Sequence, residues 1–205
     1  MYYLFILIKA NNLSKSFNGN RIFSGIDLSI EKSTVLGVVG NNGSGKTTLL
    51  KIIVGLINSD TGSIKLNENI KLDFLGHENM LYQNFSISEN IDFFSDISGF
   101  RISSESQDDI ELALGLKNIV KKKISELSYG QRKKASMLRS LTSAPDLLVL
   151  DEPFSNLDSE STDSFITILK TLKKENKSFI ISSNRKDIVG SISDDLLNME
   201  DFNES

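Results

Sequence analysis

The stretch Val35-Leu36-Gly37-Val38-Val39-Gly40-Asn41-Asn42-Gly43-Ser44-Gly45-Lys46-Thr47-Thr48-Leu49-Leu50 decides the fold. It begins with an uncharged run of strand-forming residues, turns through three glycines, and continues into an apolar segment over residues 49–57 that suits a buried helix. Gly40, Gly45, Lys46 and Thr47 fill the pattern G-x-x-x-x-G-K-[ST], and a strand before it with a helix after it is the context that pattern requires. The physical reading is a phosphate cradle. Glycines let the backbone N–H groups of Gly40, Asn41, Asn42, Gly43, Ser44, Gly45, Lys46, Thr47 and Thr48 close around phosphate oxygens, and the helix N-terminus adds a favourable dipole. Lys46 reaches the β and γ phosphates, and the Thr47 hydroxyl is a ligand for Mg²⁺.

Moving outward, the apolar run at 147–150 ends in Asp151-Glu152-Pro153, as expected of a buried parallel strand that delivers acids at its carboxyl end. Adjacent acids most often face solvent, but at the end of a buried strand Asp151 can hold magnesium through water and Glu152 can polarise an attacking water. A phosphate loop plus an acid-tipped strand implies nucleotide hydrolysis.

Strands are expected around Ile6, Ile22, 26–30 and 35–39, with Asn18-Gly19-Asn20 as a turn, and again at 64–66, 70–75 and 179–181. A mainly helical stretch from Ser88 to Thr142 forms an inserted helical subdomain at about 78–142, and Phe165, Ile168, Leu169 and Leu172 mark one face of a later helix. The expected fold is α/β: a mostly parallel sheet covered on both sides, with a β-rich front end, in a single domain over residues 1–205. The longest apolar run, residues 1–8, is far short of the roughly 20 residues that span a bilayer, and it lacks a basic start and a cleavage site. It reads as a first strand, and the chain is expected in the cytoplasm. With no cysteine, disulfides, thiolate metal sites and cysteine nucleophiles are excluded. A net charge of -4 disfavours nucleic acid as a partner.

Leu127-Ser128-Tyr129-Gly130-Gln131 opens a helix with Ala135, Leu138 and Leu141 inside and Arg132, Lys133, Lys134 and Arg139 on an expected solvated face. Together with the phosphate loop, the acid-tipped strand and Ser155-Asn156-Leu157-Asp158, this segment resembles the ATP-binding cassette (ABC) ATPases, whose signature loop is usually Leu-Ser-Gly-Gly-Gln. The resemblance spans nearly the whole chain. It implies an ABC-type P-loop NTPase fold, with an N-terminal antiparallel β subdomain and the inserted helical subdomain. It further implies that two cassettes pair head to tail, a homodimer being expected, on the inner face of the membrane beside an integral membrane transporter subunit. ATP and Mg²⁺ are the implied ligands, with Ser128, Gly130 and Gln131 contacting ATP held by the partner cassette and Phe17 stacking on adenine. A serine hydroxyl, a glycine N–H and a helix N-terminus make a second anion cradle, and Ser128 is at the same time a helix N-cap.

Two positions depart from the family. Where a glutamine usually touches magnesium and senses the membrane partner, the chain has Leu75-Gly76-His77-Glu78, with its only histidine; a lone histidine is as often a surface or core residue. Where a histidine usually contacts the γ-phosphate, it has Ser182-Ser183-Asn184, and asparagine carries no positive charge. His77, Glu152 and Asn184 are therefore the candidate catalytic residues, and Thr47 and Asp151 the metal pair. Phe74-Leu75-Gly76-His77 and Ser88-Glu89-Asn90-Ile91-Asp92-Phe93-Phe94 are similar to the haem exporter ATP-binding subunit of cytochrome c maturation, although that family keeps its later histidine. The alternatives are the ATPase of a drug, lipid or polysaccharide exporter, a soluble non-transport ABC protein, and a P-loop kinase, which should lack residues 127–131.

Overall fold

The apolar runs that flank the glycine loop and carry the acids lie side by side in a computed structural model, which describes residues 6–76 and 80–203. They are β3 (Val35–Val39), β6 (Leu147–Asp151) and β7 (Ser178–Ser183). With β5 (Leu72–Leu75) and β8 (Asp195–Asn198) they form a five-stranded parallel sheet in the order β5-β6-β7-β3-β8. Every residue of β3, β6 and β7 is buried, because both faces are covered. Side chains alternate between the two faces: Val35, Val39, Leu148, Leu150, Phe179 and Ile181 enter one core, and Leu36, Val38, Leu147, Val149 and Ile180 the other.

The second core is closed by α1 (Lys46–Ile53), through Leu49, Leu50, Ile52 and Ile53, and by an antiparallel sheet of β1 (Ile6–Phe17), β2 (Asn20–Glu31) and β4 (Thr61–Leu66). Asn18 (φ 51°) and Gly19 (φ 81°) form the two-residue hairpin loop between Phe17 and Asn20, a geometry that needs positive φ at both positions. The two separate strands expected at Ile22 and 26–30 are one continuous strand, kept in register by irregular pairing at Leu13 and Lys15. Helix α1 starts at Lys46, earlier than the apolar pattern indicates, and stops at Ile53 because Gly55 (φ 77°) turns the chain and Leu56 N–H returns to the Lys51 carbonyl at 2.8 Å.

The first core is closed by α2 (Ile87–Ser98), α3 (Ser104–Ala113), α4 (Tyr129–Thr142), α5 (Ser159–Lys174) and α6 (Lys186–Gly190). Ser86, Ser103 and Ser128 cap the first three of these, each accepting a backbone N–H of the first turn. One expectation for α4 is overturned. Lys133 and Arg139 are only 1% and 6% exposed, so these two do not belong to a solvated face, while Arg132 and Lys134 are half-buried. Arg139 pairs with Asp73 of β5 at 3.0 Å and lies 4.9 Å from the Phe94 ring centroid, while Lys133 runs toward the end of β6; each charge is buried only because it has partners. Helix α6 and strand β8 are additions that sequence pattern did not indicate.

Candidate active site

The loop after β3, the acids after β6 and the end of β7 converge at the carboxyl edge of the parallel sheet, which is where parallel α/β sheets place ligands. Gly45 takes φ 94° immediately before α1, and a Cβ there would lie 2.6 Å from Ile22 Cγ2, so both backbone and space demand glycine. Lys46 folds over its own loop, donating to the carbonyls of Gly40 at 2.8 Å and Asn41 at 3.1 Å, with Glu152 Oε1 at 3.4 Å. Ser44 Oγ is buried inside the loop and has no hydrogen-bond partner among the described residues. A polyphosphate oxygen would satisfy that orphaned hydroxyl.

Asp151 is buried and held from two sides. Thr47 Oγ1 donates to its Oδ2 at 2.8 Å, and Ser182 Oγ donates to its Oδ1 at 2.6 Å. The carboxylate therefore faces the threonine hydroxyl in a fixed orientation, and the pair is a hard-oxygen donor set of the kind magnesium takes together with water and phosphate. Glu152 has φ 49°, a left-handed conformation that costs a non-glycine residue roughly 1–3 kcal/mol. The surrounding bonds hold it there. Its N–H donates to Ser182 Oγ at 3.0 Å, and its carbonyl accepts from Lys133 Nζ at 2.8 Å and Ser155 Oγ at 2.9 Å. Burial lowers the Lys133 pKa below the ordinary lysine value, while the negative charges of Asp151 and Glu152 oppose that shift.

The remaining residues singled out from sequence fall into three groups. Asn184 is exposed just after β7 and donates through Nδ2 to Asn42 Oδ1 of the loop at 3.4 Å, which places it against the outer side of the glycine loop. Phe17, at the hairpin tip, is 46% exposed with Lys15 Nζ 5.2 Å from its ring centroid; a large aromatic left this open is not core. Ser128, Gly130 and Gln131 are at the N-terminus of α4, where Ser128 and Gln131 form a reciprocal capping box at 3.0 and 3.2 Å. Among the described residues these three make no hydrogen bond to the phosphate loop. His77 lies outside the described residues.

Sequence reasoning missed Ser182, Lys133 and a brace on the loop's outer side. Met199 is buried beneath the loop, Glu200 Oε1 accepts from Asn41 N–H at 3.3 Å and also from Asn41 Nδ2, and Asn203 Nδ2 donates to the Ser44 carbonyl at 3.3 Å. The signal for Ser182 was available in the strand pattern, since a hydroxyl in a fully buried strand needs a partner. The assembled groups can bind a polyphosphate, hold a hard divalent cation and orient a water.

Comparison with known proteins agrees with this geometry. Residues 23–155 match the model of a family described as ABC transporter. The zinc import ATP-binding protein ZnuC of Wolbachia pipientis is 35% identical over 177 residues, covering 82% of this chain and 69% of the relative. The lipoprotein-releasing system ATP-binding protein LolD of Wigglesworthia glossinidia brevipalpis is 34% identical over 193 residues, covering 84% of each. A nucleotide-free ATP-binding cassette from an ABC transporter superposes with a TM-score of 0.76 at 26% identity, covering 97% of this chain and 88% of that one. Since the family match runs from ahead of the phosphate loop to beyond Glu152, the chain belongs to the ABC transporter family, as an ATP-binding subunit of a kind that hydrolyses ATP.

Proposed function

We propose that the chain drives transport through a separate membrane subunit by closing with a second, identical cassette around ATP and reopening after hydrolysis. The observation that carries this reading is the pairing of Thr47 with Asp151 beside a strained Glu152, whose carboxylate lies 3.4 Å from Lys46 Nζ of the loop. Lys46, Ser44 and the loop N–H groups bind the phosphates. Thr47 and Asp151 would hold Mg²⁺, which would offset phosphate charge. Glu152 accepts a hydrogen bond from the attacking water and takes up its proton as ATP is cleaved to ADP and phosphate.

Ser128 and Tyr129 are exposed at the start of α4 and so are open to a second cassette, where Ser128, Gly130 and Gln131 would contact its ATP. Helices α2–α4 act as the subdomain that carries this surface within one ATPase domain. Beside them Met80, Tyr82 and Phe85 expose apolar area next to the edge strand β5, a surface suited to an integral membrane partner on the inner face of the membrane. No helix among the described residues is long and apolar enough to cross a membrane itself. Export of haem as the cargo rests on the resemblance at residues 74–77 and 88–94; the relatives named above act in zinc import and lipoprotein release. The test is affinity purification of tagged chain from solubilised membranes, where an integral membrane transporter subunit is expected in stoichiometric yield and its identity reports the cargo. Recovery solely from the soluble fraction, with no membrane partner, overturns the transport reading.

Two measurements probe single residues. Phe17→Ala is expected to weaken ATP binding by about 2- to 13-fold, the effect of losing one aromatic stack of roughly 0.5–1.5 kcal/mol, with phosphate-loop contacts unchanged. A titration with ATP checks this, and an unchanged Kd removes Phe17 from the site. Asn184 keeps a neutral hydrogen bond where a histidine adds charge or proton transfer, so basal turnover is slow and Asn184→His should raise it by about tenfold or more. Steady-state phosphate release at saturating ATP is the readout, and fast wild-type turnover would show that another group serves in place of the histidine.

A further inference from the structure

Away from the phosphate loop, α3 and α5 touch along part of their length and diverge along the rest. Between them lies a cavity of about 890 Å³, within the size range of small-molecule sites. Its floor is the first core itself, contributed by Ile110, Leu141, Leu148, Leu172 and Phe179, and it shares no lining residue with the phosphate loop, Asp151 or Glu152. The rim has a strong charge bias. Asp109 of α3, Glu160 and Asp163 of α5, and Glu175, which caps the end of α5, line it, all exposed, and none forms an ion pair with a lysine or arginine among the described residues. The single basic residue on the lining, Lys177, is already engaged, with Asp146 at 3.4 Å and the Ala144 carbonyl at 3.3 Å. An apolar floor under four uncompensated carboxylates selects against anions and against neutral polar molecules, and in favour of an apolar body that carries positive charge.

We propose that this cavity is a binding site for a small organic cation with a flat or aliphatic body. The body lies against the half-buried side chains of Ile102, Ile168 and Leu172, above the buried Leu148 and Phe179, and the charge lies at the mouth between Asp109 and Asp163, on opposite walls. Such a ligand bridges α3, in the helical part of the chain, to α5, whose N-terminal cap Asp158 ends the Ser155–Asp158 segment that follows Glu152. The inference concerns binding alone and stands whether or not the transport reading holds.

The probe is rhodamine 6G, a fluorescent aromatic monocation, titrated by anisotropy against the whole chain, with fluorescein as an anion of similar body. Saturable binding of rhodamine 6G at one site is expected, with no saturable binding of fluorescein and no displacement by ATP. Ala113→Trp places an indole from an exposed position on the lining into the cavity and should abolish saturable binding. The double variant Asp109→Asn, Asp163→Asn keeps shape and removes two charges, and should raise Kd about 3- to 30-fold. Circular dichroism and ATP binding confirm that both variants remain folded. Equal binding of fluorescein, displacement by ATP, or an unchanged Kd in Ala113→Trp each overturns the proposal.

Discussion

Glu152→Gln is expected to lower steady-state phosphate release by about 10²- to 10⁴-fold, the contribution of a positioned general base, while ATP binding stays within a few-fold of wild type. The substitution is nearly isosteric, and the bonds that hold residue 152 in its left-handed conformation belong to its backbone: N–H to Ser182, carbonyl to Lys133 and Ser155. None of them is lost. What disappears is the proton acceptor and the 3.4 Å ion pair with Lys46, and freeing that lysine favours phosphate binding if it changes it at all. ATP-bound molecules that cannot turn over should accumulate as dimers, visible by size-exclusion chromatography with ATP and Mg²⁺. Turnover within threefold of wild type would remove Glu152 from the chemistry, and a variant that stays monomeric with ATP bound would count against two identical cassettes.

Lys46→Ala should raise the Kd for ATP by about a hundredfold or more. Two charge-assisted hydrogen bonds to phosphate, at about 1.5–3 kcal/mol each, set that scale. Lys46 also donates to the Gly40 and Asn41 carbonyls, so its loss has a structural component that must be separated from the loss of binding. Thermal unfolding without nucleotide supplies the separation: Gly40 and Asn41 lie at the open edge of the site where water can replace the ammonium, so only a small fall in Tm is expected. An ATP affinity within threefold of wild type would sink the phosphate-loop reading, whereas a large fall in Tm would assign the defect to folding.

The parts of the site that could be read from sequence are those whose chemistry is written in consecutive residues. Gly40 to Thr48 is a strand-to-helix turn whose glycines and lysine act locally, and Asp151-Glu152 follows its own apolar strand, so spacing alone carried both. The hairpin at Asn18-Gly19 was legible for the same reason. Lys133, Ser182 and Glu200 were not, because each acts on a residue far from it in sequence: Lys133 on the Glu152 carbonyl, Ser182 on Asp151 and Glu152, Glu200 on Asn41 159 positions away. A lysine between polar neighbours on a helix has the pattern of a surface residue until the tertiary partner is known. Strand β8 was hidden in the same way. Asp195-Leu196-Leu197-Asn198 is too short and too polar at its ends to declare itself, and becomes a strand by pairing with residues 36–39 of β3.

The position of β3 between β7 and β8 also has a consequence for how the chain comes to be folded. Its five residues are completely buried in the finished sheet, yet both strands that cover its edges lie at 178–198, most of the chain length downstream. At synthesis rates of about 5–20 residues per second, an apolar segment with both edges open waits for several seconds or more outside the ribosome before either neighbour exists. The sheet is therefore completed late, and a nascent chain interrupted before residue 178 has the entire phosphate-loop sequence with no sheet neighbour to hold it. During that interval β3 is an apolar segment with two open edges, the kind of segment at which newly made chains are prone to aggregate.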